Sequence, residues 1–301
     1  NTRDGNTAIG TQALASNTTG NNLVAVGYKA LDDNSSGSSN VALGNNALGS
    51  NTTASNNVGV GSNALKSNTT GYGNTALGSD SLSSNTTGRN LVAIGYQALD
   101  SNTTGNQNIA MGSDALGSNT TGYSNFAMGV NAQASTTTGN NNVAIGYEAL
   151  RDNSTTSQNV AIGMSALQES NAAGNVAIGA NAMRGTTNTA ITGGENVAVG
   201  SSALKLNIGG SSNTAVGKAS LASNTDGNYN VAVGKGSLND NTEGSSNTTL
   251  GYLSANTGTN DITTGSNNTL LGASTAVSAA AGTNQIVIGY GTTGKGNNTV
   301  T

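Results

Sequence analysis

The apolar residues of this chain fall into short groups set at a fixed interval. Each group reads apolar–Ala–apolar and closes on a Gly, as in Val143-Ala144-Ile145-Gly146 and Val197-Ala198-Val199-Gly200. The closing Gly recurs at Gly10, Gly27, Gly44, Gly61, Gly78, Gly95, Gly112, Gly129, Gly146 and Gly163, each step being 17 residues. The series continues at Gly179, Gly200, Gly217, Gly234, Gly251, Gly272 and Gly289, with steps of 16, 21, 17, 17, 17, 21 and 17. The consensus is Asn, apolar, Ala, apolar, Gly, two variable residues, Ala-Leu, two variable residues, Asn-Thr-Thr-Gly and two more. A regular period of this kind marks a repeat architecture, in which each unit buries its apolar face only against its neighbours.

Side chains alternate faces along a strand, so the apolar–Ala–apolar group predicts a strand of about four or five residues. Val and Ile suit such a strand, and the Gly ends or bends it. The reading places the two branched residues on the core face and the Ala on the opposite face. The Ala-Leu pair predicts a second short strand whose Leu returns to the same core. Asn-Thr-Thr-Gly predicts a turn. The Asn at the start of most repeats would stack above its equivalents and hydrogen-bond along the stack. Gly, Asn and Thr in this abundance, without a 3.6-residue stripe, exclude a helical repeat. The expected fold is an all-β parallel solenoid of about 17 coils, a single repetitive body over residues 1–301. The two long steps place four extra residues within 184–195 and within 256–267, where protruding loops are expected.

The Ala between the branched residues recurs at Ala25, Ala42, Ala76, Ala93, Ala110, Ala127, Ala144, Ala161, Ala177, Ala198, Ala215 and Ala232, with Gly59 once in its place. A small apolar residue kept on a face directed away from the core implies close approach of a second surface. The expectation is that several copies of the chain pack through this Ala stripe.

Composition narrows the picture further. Leu, Ile, Val and Phe supply only about a sixth of the residues, a level at which disorder has to be considered. The net charge is only −4 and the apolar residues are periodic, so a narrow, regularly filled core is expected instead. The ten Lys and Arg are scattered, which leaves no basic patch for nucleic acid. No apolar run is long enough to span a membrane as a helix. The first residue already lies within the repeat pattern, so a piece of a longer protein is expected.

The runs NVAIGYEAL, NVAIGMSAL and NLVAIGYQAL resemble the head repeats of trimeric autotransporter adhesins of the YadA type. The resemblance covers almost the whole chain, repeat by repeat. It implies a left-handed parallel β-roll and three chains about one axis. The 17-residue period and the Asn-Thr-Thr-Gly turn depart from that family's shorter repeat. They are more similar to shaft repeats of phage tail fibres and of large Bacteroidota surface proteins. Residues 284–301 resemble the segment that leads, in such proteins, toward a C-terminal chaperone domain of the endosialidase type. The resemblance thus implies an extracellular homo-oligomeric fibre, on a cell surface or a virion tail.

Chemistry is sparse. With no His and no Cys, imidazole and thiol catalysis and the usual zinc sites are excluded. Asp32-Asp33 and Asp240 sit in variable turn positions and read as solvated surface. The Gly289–Gly296 run lacks the strand–loop–helix context of a phosphate loop. No enzyme activity and no cofactor are expected. Candidate surface contacts are tyrosines: Tyr28, Tyr96, Tyr147 and Tyr252 directly after the anchor Gly, and Tyr72 and Tyr123 at the variable end of their repeats. A structural shaft is the leading expectation. Its partners would be copies of itself and, through a tip or the shaft, a cell-surface receptor or glycan. Direct multivalent glycan or cell binding along the shaft is the alternative, and an ice-binding Thr face is a distant third.

Overall fold

The computed structural model describes residues 5–186 and 189–301. The chain divides into two compact units, Asn1–Thr155 and Thr156–Thr301. The fold is all-β, with no helix among the described residues. Every strand is three residues long, and each unit is a parallel β-solenoid. The first unit contains β1 (Thr7–Ile9), β2 (Val24–Val26), β3 (Val41–Leu43), β4 (Val58–Val60), β5 (Thr75–Leu77), β6 (Val92–Ile94), β7 (Ile109–Met111), β8 (Phe126–Met128) and β9 (Val143–Ile145). The second contains β10 (Val160–Ile162), β11 (Val176–Ile178), β12 (Val197–Val199), β13 (Thr214–Val216), β14 (Val231–Val233), β15 (Thr248–Leu250), β16 (Thr269–Leu271) and β17 (Ile286–Ile288). Within a unit each strand pairs in parallel with the next in sequence, and Ala lies on Ala: Ala8↔Ala25, Ala76↔Ala93, Ala215↔Ala232.

The anchor Gly sets this stacking. Gly95 has φ 136°, a left-handed extended conformation closed to other residues, and a Cβ there would collide with the carbonyl of Gly112 in the next coil. A column of glycines therefore lets the backbones pass each other immediately after every strand.

The second strand expected at Ala-Leu does not form. That stretch is a run of turns in which alternate residues take left-handed angles, as at Glu148 (φ 53°) and Leu150 (φ 52°). It is still laddered to the next coil: Leu31 N–H donates to Ala47 O at 3.1 Å and Leu48 N–H to Ala64 O at 2.9 Å. Among the described residues no left-handed position is occupied by Val, Ile or Thr. A β-branched side chain is a steric outlier there. This explains why the second apolar position is Leu, while the strand carries Val and Ile.

The core reverses the expected facing of the strand. Ala25, Ala42, Ala76, Ala93, Ala110, Ala127, Ala144, Ala161, Ala177, Ala198, Ala215 and Ala232 are all completely buried inside their own chain. They face the buried Ala-Leu pairs, such as Ala98 and Leu99. The branched residues on either side point outward. The Ala stripe is therefore no interface between chains. Its smallness comes from the thinness of the coil. At Gly59 an added Cβ would already lie 3.2 Å from Ala64 O and 3.4 Å from Leu48 Cγ, so opposite Leu there is little room beyond a methyl group. Where the Leu column carries Ala255 and Ala276 instead, the same position holds the buried Leu270 and Val287.

Two buried columns of Asn complete the interior. At the strand start, Asn57 N–H donates to Asn40 Oδ1 (2.9 Å), and Asn57 Nδ2 donates to Gly71 O in the turn of the next coil (2.9 Å). The pattern repeats at Asn74, Asn125, Asn213 and Asn230. In the turn, the Asn amides bond one to the next: Asn68 to Asn51 (3.0 Å), Asn85 to Asn68 (2.8 Å), Asn102 to Asn85 (2.8 Å). Asn stacking was expected at the strand start, where the usual partner proves to be the next backbone N–H. The amide-to-amide ladder lies mainly in the turn.

The irregular steps leave the strands in register. Across the 21-residue steps Ala177 still pairs with Ala198 and Thr248 with Thr269. The second insertion is a small loop closed by Asp261, which accepts from the N–H of Thr257 and of Gly258 (2.8 Å). Ile262 then takes the place of the turn Asn and is buried. The first insertion, within 184–195, includes residues 187 and 188, which lie outside the described residues. Its flank buries Ile191, whose N–H donates to Glu169 O at 2.7 Å. Near the end, Val300 pairs in parallel with Ile286 of β17.

Candidate functional site

Two kinds of surface stand out. The first is the outer face of the strands. The outward positions carry Val, Ile, Leu, Met, Phe or, in a few strands, Thr, and none carries a charge. Many are open to solvent, among them Leu43 (45% exposed), Leu77 (47%) and Leu250 (51%). Parallel sheets normally have both faces covered and read as apolar runs. These units have the apolar run, and nothing within either unit covers it.

The second is the set of tyrosines. All six expected contact residues are about half exposed rather than packed into the sheet. Those after the anchor Gly occupy the equivalent position of their coils and have variable neighbours. Lys29 lies 5.8 Å from the Tyr28 ring centre and Lys235 lies 5.6 Å from that of Tyr252. Beside Tyr147 the Glu148 carboxylate accepts the phenol proton in a hydrogen bond and holds it above the usual tyrosine range.

Tyr72 and Tyr123 belong to a different column, at the corner ahead of the strand. In each unit most residues at this position are Ser or Asn, and the side-chain oxygen accepts the N–H of the equivalent residue one coil earlier. Ser55 Oγ accepts from Ser38 N–H (3.0 Å), Asn140 Oδ1 from Tyr123 N–H (2.8 Å) and Asn228 Oδ1 from Ser211 N–H (2.8 Å). Tyr72, Arg89 and Tyr123 depart from it in the first unit, as Ala173, Gly194 and Thr283 do in the second, and leave the N–H of Ser55, Tyr72 and Asn106 without that cap. Each lost cap forgoes a hydrogen bond of about 0.5–1.5 kcal/mol net. Arg89 is held in place by Tyr72, its guanidinium 5.7 Å from the ring centre and Nη1 3.3 Å from the phenol oxygen. Tyr72, Arg89, Asn90, Asn106, Gln107 and Tyr123 together line an open cleft of about 370 Å³. The sequence marked the two tyrosines. It did not mark Arg89 or Asn106, because only stacking places residues 17 apart side by side.

The Thr pairs of the turn divide their roles. The first hydroxyl donates to the next coil, as from Thr69 to Thr86 O (3.0 Å) and from Thr86 to Thr103 O (3.0 Å). The second Thr, as at Thr70, Thr87 and Thr104, is exposed. This gives one outward Thr column, with the neighbouring column tied into the backbone. Among the described residues no three of His, Cys, Asp and Glu come together as metal ligands would.

No protein-family model matches this chain, and no curated protein matches it either.

Proposed function

We propose that this chain is a structural shaft segment of an extracellular adhesive fibre, built from several copies of itself and projecting a tip toward a target cell. The observation that carries the reading is the uncovered apolar outer face of the strands. A contiguous apolar surface of this extent marks an interaction site. A second copy fits it best, since it offers the same charge-free columns at the same spacing of about 4.8 Å per coil. The resemblance to adhesin head and tail-fibre repeats favours three chains and an extracellular setting. The interior supports a load-bearing role: within each unit, successive coils are tied by backbone and Asn hydrogen bonds.

Light scattering on the purified chain tests the assembly. A mass of three chains supports the reading, and another defined multiple replaces the trimer with a different bundle. A monomer overturns it. Adjacent residues then report which face is used. Ile94→Asp, on the outer face, should lower the native mass while far-ultraviolet circular dichroism stays unchanged.

A further inference from the structure

The cleft at Tyr72–Tyr123 has features that a shaft does not require. We propose that it is a binding site for an acidic oligosaccharide, one bearing uronate or sulfate groups. Its residues come from successive coils of one unit, so the site stands whether or not the chain assembles into a fibre.

Four features carry the assignment. Among the described residues of this unit the column is otherwise held by Ser or Asn, and here Tyr72, Arg89 and Tyr123 give up that cap while Asn106 between them keeps it. Such a departure from a local rule, without a structural gain, marks function. The two aromatic rings are three coils apart, about 14 Å at about 4.8 Å per coil, which suits a short oligosaccharide better than a single ring. Between them lie donors: the Arg89 guanidinium, preset by Tyr72, the amides of Asn90, Asn106 and Gln107, and the uncapped backbone N–H groups of Tyr72 and Asn106. No carboxylate lines the cleft, in contrast to Tyr147 with Glu148 beside it. Arg accepts carboxylate or sulfate through paired hydrogen bonds, and a Tyr face stacks on the apolar face of a sugar. A single-stranded nucleic acid also stacks on Tyr, but it needs a cationic groove along its backbone, and this cleft holds one cation in a chain of net charge −4.

The test is calorimetric titration of the purified protein with tetragalacturonate and with a heparin-derived tetrasaccharide, which separate carboxylate from sulfate recognition. Methyl-esterified tetragalacturonate serves as the neutral control and oligothymidylate as the nucleic-acid control. Saturable binding of an acidic probe is expected, weakened about tenfold or more by Arg89→Gln, as loss of a charged hydrogen bond implies. Tyr123→Ala should weaken it comparably, Tyr123→Phe should retain most of it, and Tyr147→Ala should leave it unchanged. Absence of saturable binding to both acidic probes overturns the proposal. So does binding that survives Arg89→Gln and Tyr123→Ala together, equal affinity for the neutral ester, or a preference for oligothymidylate. The native mass is measured on the same samples, so loss of this site and loss of the fibre assembly are read separately.

Discussion

The two units obey the same rule with different strictness. In the first, every step is 17 residues and the turn Asn ladder runs unbroken from Asn17 to Asn119. In the second, steps of 16 and 21 residues intervene. There the ladder shrinks to Asn207, Asn224 and Asn241, and it stops where Ile262 leaves Asn241 Oδ1 without a donor. The strands keep their register through this, although the Ala column gives way to Thr249, Leu270 and Val287 in the last three strands. Length is absorbed at the turn because extra residues there can leave the coil, as the Asp261 loop does. At the strand, a slip of one residue would turn every side chain to the other face.

That contrast can be broken most severely at the shared element. Ala93→Asp buries a carboxylate in a space that fits only a methyl group. It should cost roughly 4 kcal/mol or more and unfold the local coils, as read by proteolysis and denaturant melts. A similar loss from Ile94→Asp would overturn the facing of the strand. Next, Leu99→Ala in the first unit and Leu204→Ala in the second should each cost about 2–5 kcal/mol and agree with each other, since both Leu follow a buried Ala (Ala98, Ala203) and face the Ala column. A clear inequality in denaturant midpoints would show that the turns also set core packing.

The ladder should separate the units. Asn85→Ala removes an amide bonded on both sides and is expected to cost about 1–3 kcal/mol by hydrogen exchange of the flanking coils. Asn241→Ala should cost less by about 1 kcal/mol, because its Oδ1 already accepts nothing. Equal costs would mean that the ladder contributes little beyond each local turn. The smallest effect is a gain. Thr136 interrupts the ladder and leaves Asn119 Oδ1 unpaired in the first unit. Thr136→Asn supplies the missing donor and should stabilise by about 0.5–1.5 kcal/mol, seen as a raised denaturant midpoint.

Much of this fold was legible in the residues. The Gly column and the register follow from spacing alone. The Ala-Leu segment was misread as a strand, because Leu says nothing by itself about a left-handed backbone. The signal was present in what the position lacks: no Val or Ile occurs in the Leu column. The tyrosines were visible, but the grouping of Tyr72 and Tyr123 with Arg89 in one cleft was not, since that depends on neighbours one coil away.

The sequence by itself determined the period, the strand positions and the parallel register, because each is a matter of spacing along one chain. Alternation also established that Ala and the branched residues lie on opposite faces. Which face turns inward was decided only by the tertiary structure. A coil closed by a buried Leu and two columns of Asn leaves little room beyond a methyl group opposite, so Ala goes in and Val and Ile go out, and only where Leu gives way to Ala255 and Ala276 do Leu270 and Val287 turn inward in its place. That volume constraint turns the apparent core residues of the sequence onto the outer face of each unit.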